Sequence, residues 1–344
     1  MVACYNYQQF VSHAISSVLD QKTDDVELVV VDDGSTDGSW AVIESLNVRS
    51  FRIPNSGQPA ACMHGLDQTT APFVLFLDAD DELMPGSLAR IIASLDEGVA
   101  KLQFPLVRID ASGTVISGTT PKLSDFRESA KIARRVLRHG AYQTSPTSGN
   151  VFRRDVCEHA RHVDYEAAVD GVILLVAPFL GDVVSLSEPL GRYRVHEHNH
   201  SGLGRALEAH TIRRDMERHI KRSEHLCRIL RAIGSTQMPV DPRKNFYYRE
   251  LLLTLTVVEG NKPRVHDLAG LLGGVSQQTM SLKNKLALGV IFTAATLASQ
   301  RRAVALLSFR RQANRPLGQL LKVMFGRLPE IARVEPAASS NRPA

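Results

Sequence analysis

The sequence predicts an α/β fold with a mostly parallel sheet, followed by an α-helical extension. The first half alternates β-branched apolar runs with stretches of helical apolar spacing, the pattern of strands whose faces are covered by crossover helices. Two of those runs end in clustered acids, at residues 32–33 and 78–81. Beyond about residue 204 the strand pattern stops, and apolar residues recur at helical spacing.

The elements follow in order. Residues 2–4 are a short apolar stub, where a strand usually has about 5–6 residues, so a truncated first strand is expected. Phe10, Ala14, Ile15, Val18 and Leu19 share one helical face. Residues 27–31 read as a buried strand. Asp37 or Ser39 caps a helix through Leu46. A strand at 51–53, a helix at 59–69 and a strand at 73–77 follow. Pro85 then opens a helix to about Leu95, since proline suits a first turn. Residues 102–109 and 115–117 flank Asp110-Ala111-Ser112-Gly113, a turn signal that predicts a hairpin. Helices are expected at 124–139 and 164–179, and short strands at 183–186 and 191–195. Ile212, Met216, Ile220, Cys227 and Leu230 mark a further helix, followed by 246–258 and 286–298. The tail from residue 329, rich in Ala, Ser, Pro and Arg, is expected to be disordered. The implied division is 1–204, 205–328 and 329–344.

Composition narrows the classes. The chain has 344 residues, 44% hydrophobic and 22% charged, which suits a soluble globular protein of about two domains. Four cysteines without a CxxC pair argue against a disulfide framework or a cysteine zinc site and fit a reducing compartment. No basic region precedes an apolar run at the start, so no signal peptide is expected. The longest apolar run, 286–298, is shorter than the roughly 18 residues a membrane span needs. Residues 1–200 hold 17 Lys and Arg against 26 Asp and Glu; residues 201–344 hold 24 against 10. That asymmetry points to two modules with different partners.

The acid clusters carry the chemistry. In an open α/β sheet, ligands bind beyond the carboxyl ends of the strands. Asp78 and Asp80 are two residues apart, so in extended chain they point the same way. Paired carboxylates suit a hard divalent ion with oxygen ligands, Mg²⁺ or Mn²⁺, shared with a diphosphate. The competing reading is that acids after strands form turns and caps; two such clusters in one alternating chain argue against it.

Tyr5-Asn6, Val30-Val31-Asp32-Asp33-Gly34-Ser35-Thr36-Asp37, Asn55-Ser56-Gly57-Gln58 and Phe76-Leu77-Asp78-Ala79-Asp80-Asp81 resemble, in order and spacing, the family 2 glycosyltransferases of GT-A fold. The resemblance covers roughly residues 1–200. It implies inverting transfer of a sugar from a nucleotide diphosphate sugar, most simply UDP-linked, to a glycan or lipid-linked acceptor at the cytoplasmic membrane face. By the same resemblance Tyr5 lies against the base, and Asp33 with Asp32 hydrogen-bonds it. Asp78 contacts ribose or sugar, and Asp80 ligates the metal. Ala168-Val169-Asp170-Gly171 resembles the family's helix that opens with an acid pair, with Val169 in place of the usual glutamate. Asp170 is therefore assigned as general base; alternatively it is a helix N-terminal acid favoured by the dipole. Tyr193-Arg194-Val195-His196, with Asn199 and Ser201, resembles the closing motif whose histidine approaches the metal or diphosphate. Pro146-Thr147-Ser148-Gly149 resembles the loop near the acceptor. The chain departs from the pattern at Ala3-Cys4, where proline is usual, and at Cys62 and Met63, where Arg or Lys and then Asn are frequent.

Two other functions stay in view. His196-Glu197-His198-Asn199-His200 spells H-E-x-x-H, a zinc hydrolase pattern only if one helix carries both histidines. A sugar- or nucleotide-binding protein without catalysis would use the same pocket. In the basic half, Arg301, Arg302, Arg310, Arg311, Arg315 and Lys322 flank Leu306, Leu307 and Phe309. Such a segment suits an anionic membrane surface or packs on the catalytic domain. No motif accompanies the charge that would indicate nucleic acid.

Overall fold

The computed structural model describes residues 1–196, 207–278, 280–311 and 317–326. The tail expected to be disordered lies outside them. The chain divides into two units, Met1–Asn199 with Lys221–Val240, and His200–Ile220 with Asp241–Ala344.

The first unit is built on a parallel sheet, β3-β2-β1-β5. β1 (Val2–Cys4) pairs on one side with β2 (Val30–Asp32), which pairs with β3 (Ser50–Arg52). β4 (Phe73–Leu75) leads through Phe76 into β5 (Leu77–Asp78), which pairs with the other side of β1. The short stub is thus a central strand. One stretch, 73–78, joins two sheets, because β4 pairs instead with β11 (Asn150–Arg153). Here the mostly parallel expectation gives way to a mixed sheet, β10-β12-β7-β11-β4. Its other strands are β7 (Val99–Gln103), β10 (Phe126–Glu128) and β12 (Asp182–Ser185). The expected hairpin is present as β8 (Leu106–Ile109) and β9 (Val115–Thr120). With β6 (Glu82–Leu83) and β13 (Gly191–Arg194) it makes a third sheet, β6-β13-β8-β9.

Helices cover both faces. α1 (Val11–Leu19), α2 (Ser39–Ser45) and α4 (Ser87–Ile92) add Val11, Ile15, Ile43 and Leu88 to a core with Leu77 and Val151. α3 (Gln58–Asp67), α5 (Ala130–His139), α6 (Arg154–Glu158) and α7 (Asp170–Leu180) pack with Phe76 and Phe152 on the opposite face. Phe76 and Leu77 point to opposite faces, the period-2 alternation of a strand buried on both sides.

Several boundaries differ from expectation: the run 102–109 divides between β7 and β8, and the strand expected at 27–31 is observed at 30–32. Residues 126–128 are strand rather than helix, since they pair with β12. α7 begins at Asp170, not 164. The expected division at residue 204 also differs from the observed units. The helix α8 (Ala209–Ala232) sends Leu226, Ile229 and Leu230 into the core that holds Val172 and Val176, so Lys221–Val240 joins the first unit.

The second unit is helical: α9 (Phe246–Val258), α10 (Val265–Ser276), α11 (Leu282–Leu297), α12 (Gln300–Arg311) and α13 (Leu317–Phe325). Its core includes Leu251, Leu271, Phe292, Leu306, Leu307 and Phe309. The apolar residues of α12, for which the sequence leaves a membrane surface or packing open, are therefore interior ones of this unit. No helix among the described residues is long and apolar enough to cross a membrane.

Candidate active site

Because β1, β2, β3 and β5 run parallel, the loops after them emerge at one edge of the sheet. The first two are stitched together. Asn6 has φ +59°, which Asn tolerates better than most residues, and its carboxamide oxygen accepts Thr36 N–H at 2.8 Å. Ser35 Oγ and Ser39 Oγ accept the N–H groups of Asn6 and Tyr7, both at 2.9 Å. Gln8 Oε1 accepts Gly38 N–H at 2.7 Å. Tyr5, at the head of this loop, is 43% exposed.

Asp33 is buried, and its two oxygens accept the backbone N–H groups of Ser56 and Gly57, each at 2.8 Å. The turn between them requires glycine. Gly34 has φ +72°, and a Cβ there would stand 2.7 Å from Asn55 N. Asp32 Oδ2 accepts Ser35 N–H at 3.1 Å and faces Arg52 Nε at 3.2 Å, while Oδ1 is buried without a hydrogen-bond partner.

The second cluster is arranged differently. Asp78 N–H donates to Ser148 Oγ at 3.1 Å, and that hydroxyl donates to Asp81 Oδ2 at 2.6 Å. Arg194 N–H donates to Asp81 Oδ1 at 3.0 Å. Burial, and then the neighbouring Asp80, push the Asp78 carboxyl up to about 8 and the Asp81 carboxyl well above the usual range. Asp80 Oδ2 lies 3.0 Å from His196 Nε2. The His196 ring is seated against Phe10 (5.0 Å between centroids) and Tyr7 (5.8 Å), and Arg194 lies over Phe10. Asp80 and His196 thus come together across 116 residues.

Asp170 is the first residue of α7, where free N–H groups and the dipole favour a carboxylate. It is nonetheless buried. Desolvation raises its pKa, against the opposing pull of Arg222, a Thr147 hydrogen bond and Lys101. Gln58 ties this helix start to the acid turn: its Oε1 accepts Val169 N–H at 2.9 Å, and its Nε2 reaches Asp78 Oδ1 at 3.4 Å. Asp170, Asp78 and Asp80 therefore share one locality, reflected in the upward push of Asp80 and Asp170 on Asp78.

Several functional-site neighbours had no assigned role in the sequence reading: Asp81, Ser148, Gln58, Glu166, Arg222 and Lys101. Glu166 is buried and forms a bidentate pair with Arg222, with Nη2 to Oε2 at 2.6 Å. Its carboxyl fills the space over Gly171, where an added Cβ would collide with it. The chain thus has a carboxylate beside Asp170 although Val169 replaces the expected glutamate. Lys101 is buried with three neutral partners: Gln103 Oε1 at 2.7 Å, Thr144 Oγ1 at 2.6 Å and Tyr142 OH at 3.2 Å. Desolvation pulls its pKa well down, and Asp170 opposes that. Asp81 and Ser148 lie inside the motifs 76–81 and 146–149; Arg222, 56 residues from Glu166, has no local signal.

Among the described residues, no three His, Cys, Asp or Glu side chains form a metal-binding group. Asp80 and His196 set one carboxylate and one imidazole 3.0 Å apart, near the carboxyls of Asp78 and Asp81. That donor set fits a hard divalent ion completed by oxygens of a bound diphosphate and water. The zinc hydrolase pattern needs one helix to carry both histidines. His196 follows β13 in non-helical backbone, and Glu197 and His200 lie outside the described residues.

Residues 1–159 match the profile of glycosyl transferase family 2. The first unit carries a domain of that family. An uncharacterized glycosyltransferase of Nostoc sp. is 36% identical over 213 residues, 58% of this chain and 65% of that protein. The GalNAc(5)-diNAcBac-PP-undecaprenol beta-1,3-glucosyltransferase of Campylobacter jejuni is 35% identical over 107 residues, 29% of this chain and 35% of that protein. The chain thus spans less than two thirds of either relative. The crystal structure of S. aureus TarS 1-349 superposes with a TM-score of 0.50 at 15% identity, covering 90% of this chain and 88% of that one. The GT-A α/β fold followed in sequence by helices, as expected, is the fold observed.

Proposed function

We propose that the protein is an inverting glycosyltransferase that moves a sugar from a nucleotide diphosphate sugar, UDP-linked, to a glycan or lipid-linked acceptor. The observation that carries this is the convergence of Asp170, Asp78 and the Asp80–His196 pair at the carboxyl edge of the parallel sheet. The name of the Campylobacter relative, with its undecaprenol-linked acceptor, supports a lipid-linked one. The proposed setting is the inner face of the cytoplasmic membrane.

In this reading Tyr5 lies against the base. Asp33 and Asp32 border it: each Asp33 oxygen keeps an acceptor site beyond its backbone bond, and Asp32 Oδ1 is unpaired. Asp78 accepts hydroxyls of ribose or sugar. Asp80 and His196 would hold Mg²⁺ or Mn²⁺, which when bound offsets the charge of the leaving diphosphate. Asp170 takes the proton of the acceptor hydroxyl. The acceptor oxygen forms a bond to the anomeric carbon from the face opposite the diphosphate. The bond from that carbon to the phosphate oxygen breaks, its electron pair leaves with the nucleoside diphosphate, and the configuration inverts. Burial raises the Asp170 pKa, the direction that favours a general base.

A thermal-shift panel of UDP and UDP-sugars with and without Mn²⁺ tests the reading. Ligand at a hundred times its Kd should stabilise the fold by about 2.7 kcal/mol. Absence of any metal-dependent shift would sink it; a shift without turnover on any acceptor or water would instead favour a sugar-binding protein.

A further inference from the structure

The second unit presents an apolar stripe that its own core leaves in solvent. α11 buries Leu288, Ile291, Phe292 and Ala295. Leu282, Leu286, Val290 and Leu297 are 72%, 62%, 49% and 80% exposed. At 100° per residue these four fall within about 80° of one another, on the side away from the buried set. The stripe runs about 22 Å along the helix. Single exposed leucines are ordinary; a contiguous row marks an interaction surface.

The charge around it selects the partner. The 62 residues 268–329 contain nine Lys and Arg and no Asp or Glu. Lys283, exposed, follows the first leucine of the stripe, and Arg301, also exposed, lies four residues past the last. A second copy docked face to face would set two segments that carry Lys and Arg but no acid against each other. A nucleic acid would meet the cations and leave the leucines unmatched. An anionic bilayer matches both, with leucines at the acyl boundary and Lys and Arg among the headgroup phosphates.

We propose that α11 is a membrane-surface helix that lies in the plane of an anionic lipid interface through Leu282, Leu286, Val290 and Leu297. This deepens the lipid-linked-acceptor reading and rests on it for its purpose, but membrane binding is measured without sugar transfer, so the two fail separately. The surface differs from the one expected at α12, whose Leu306, Leu307 and Phe309 are core residues.

The test is co-sedimentation of the full chain with vesicles of three parts phosphatidylcholine to one part phosphatidylglycerol, and with vesicles of phosphatidylcholine alone. The protein should bind the mixed vesicles and release in high salt. The triple variant Leu282→Ser, Leu286→Ser, Val290→Ser should lose roughly 100-fold or more in partitioning. Lys283→Glu should lose roughly tenfold. All these side chains are exposed, so melting and the UDP-dependent thermal shift should stay as in the parent chain. Parent-like vesicle binding by the triple variant would overturn the proposal, as would no binding by the parent. A dimeric parent that becomes monomeric in the triple variant would also overturn it, assigning the stripe to a second copy.

Discussion

Asp33 and Asp78 sit at the ends of the two strands that flank β1, yet their surroundings are opposite. Asp33 has a backbone N–H on each oxygen at 2.8 Å, both from the loop after β3. Asp78 receives a 3.4 Å contact from Gln58 and stands near two other acids, and burial among them drives its carboxyl up to about 8. The first carboxylate already holds the protein together. In the proposed function the second is left to accept hydroxyls of the bound donor. A sequence cannot separate these cases, because both are acids that close a strand; what separates them is how many donors the fold brings.

The comparison breaks most sharply at the proposed catalytic end. Asp170→Asn should lower turnover by roughly 10²–10⁴-fold while leaving nucleotide binding nearly intact, the signature of a group acting only in the transition state. Asp80→Ala should instead weaken metal-dependent nucleotide binding, read by titration calorimetry. The pKa of Asp170 is raised in the fold, so ionising it opposes folding. That penalty is absent below the ordinary carboxylate value near 4 and grows as pH rises toward the raised folded value. Asp170→Asn should therefore melt above the parent at neutral pH, with the gap closing in acid. Near-normal turnover by this variant would leave Asp170 a helix cap, a role Asn also fills.

The next effect falls on Arg222. Arg222→Met leaves Glu166 buried without its bidentate partner and should destabilise the protein by about 2 kcal/mol, discounted for the part-exposed guanidinium. Arg222 also holds the Asp170 pKa down, so its loss should move the acid limb of the pH–rate profile upward. A purely structural Arg222 would lower the melting temperature and leave that limb in place.

These two ends of the site were unequally legible. β2 and the stretch 73–78 could be read because a buried parallel strand is a continuous apolar run, and the acids after them mark the sheet's functional edge. The hairpin was legible from Asp110-Ala111-Ser112-Gly113. β11 is not legible as a strand, because Asn150 and Arg153 leave only the apolar pair Val151 and Phe152 between them. Lys101 was hidden as well: a lysine inside a strand signals an edge, and only the fold shows that Gln103, Thr144 and Tyr142 surround it. Glu166 and Arg222 meet because α8 returns to the first unit, a tertiary event with no pattern near either residue. The apolar face of α12 was visible, but its direction was not, since interior and lipid-facing stripes have the same period.

The frame side gives a smaller, cleaner measurement. Asp33→Asn replaces one acceptor with an NH₂ group that meets the Ser56 or Gly57 N–H. It should cost about 1–3 kcal/mol by denaturant unfolding. Nucleotide affinity should fall with it, since Asn55-Ser56-Gly57 would lose its anchor. A large loss of affinity with unchanged stability would mean that Asp33 acts on the base alone and does not anchor the loop.

The smallest expected effect decides whether the contrast is real. Ser148 Oγ accepts from Asp78 N–H and donates to Asp81 Oδ2, so the acid turn does have one internal tie. Ser148→Ala removes it. A neutral hydroxyl bridging a backbone group and an acid contributes about 1 kcal/mol net. Turnover should fall by roughly tenfold or less, through displacement of the turn that carries Thr147 and its bond to Asp170. If the turn is held mainly by what binds there, saturating UDP and Mn²⁺ should restore much of the lost melting temperature, because ligand then supplies the missing order. The same ligand should rescue Asp33→Asn far less, since its defect lies in a loop the ligand must find already formed. Equal rescue of both variants would mean that the two acid clusters are one cooperative frame and that the distinction drawn from their hydrogen bonds has no energetic counterpart.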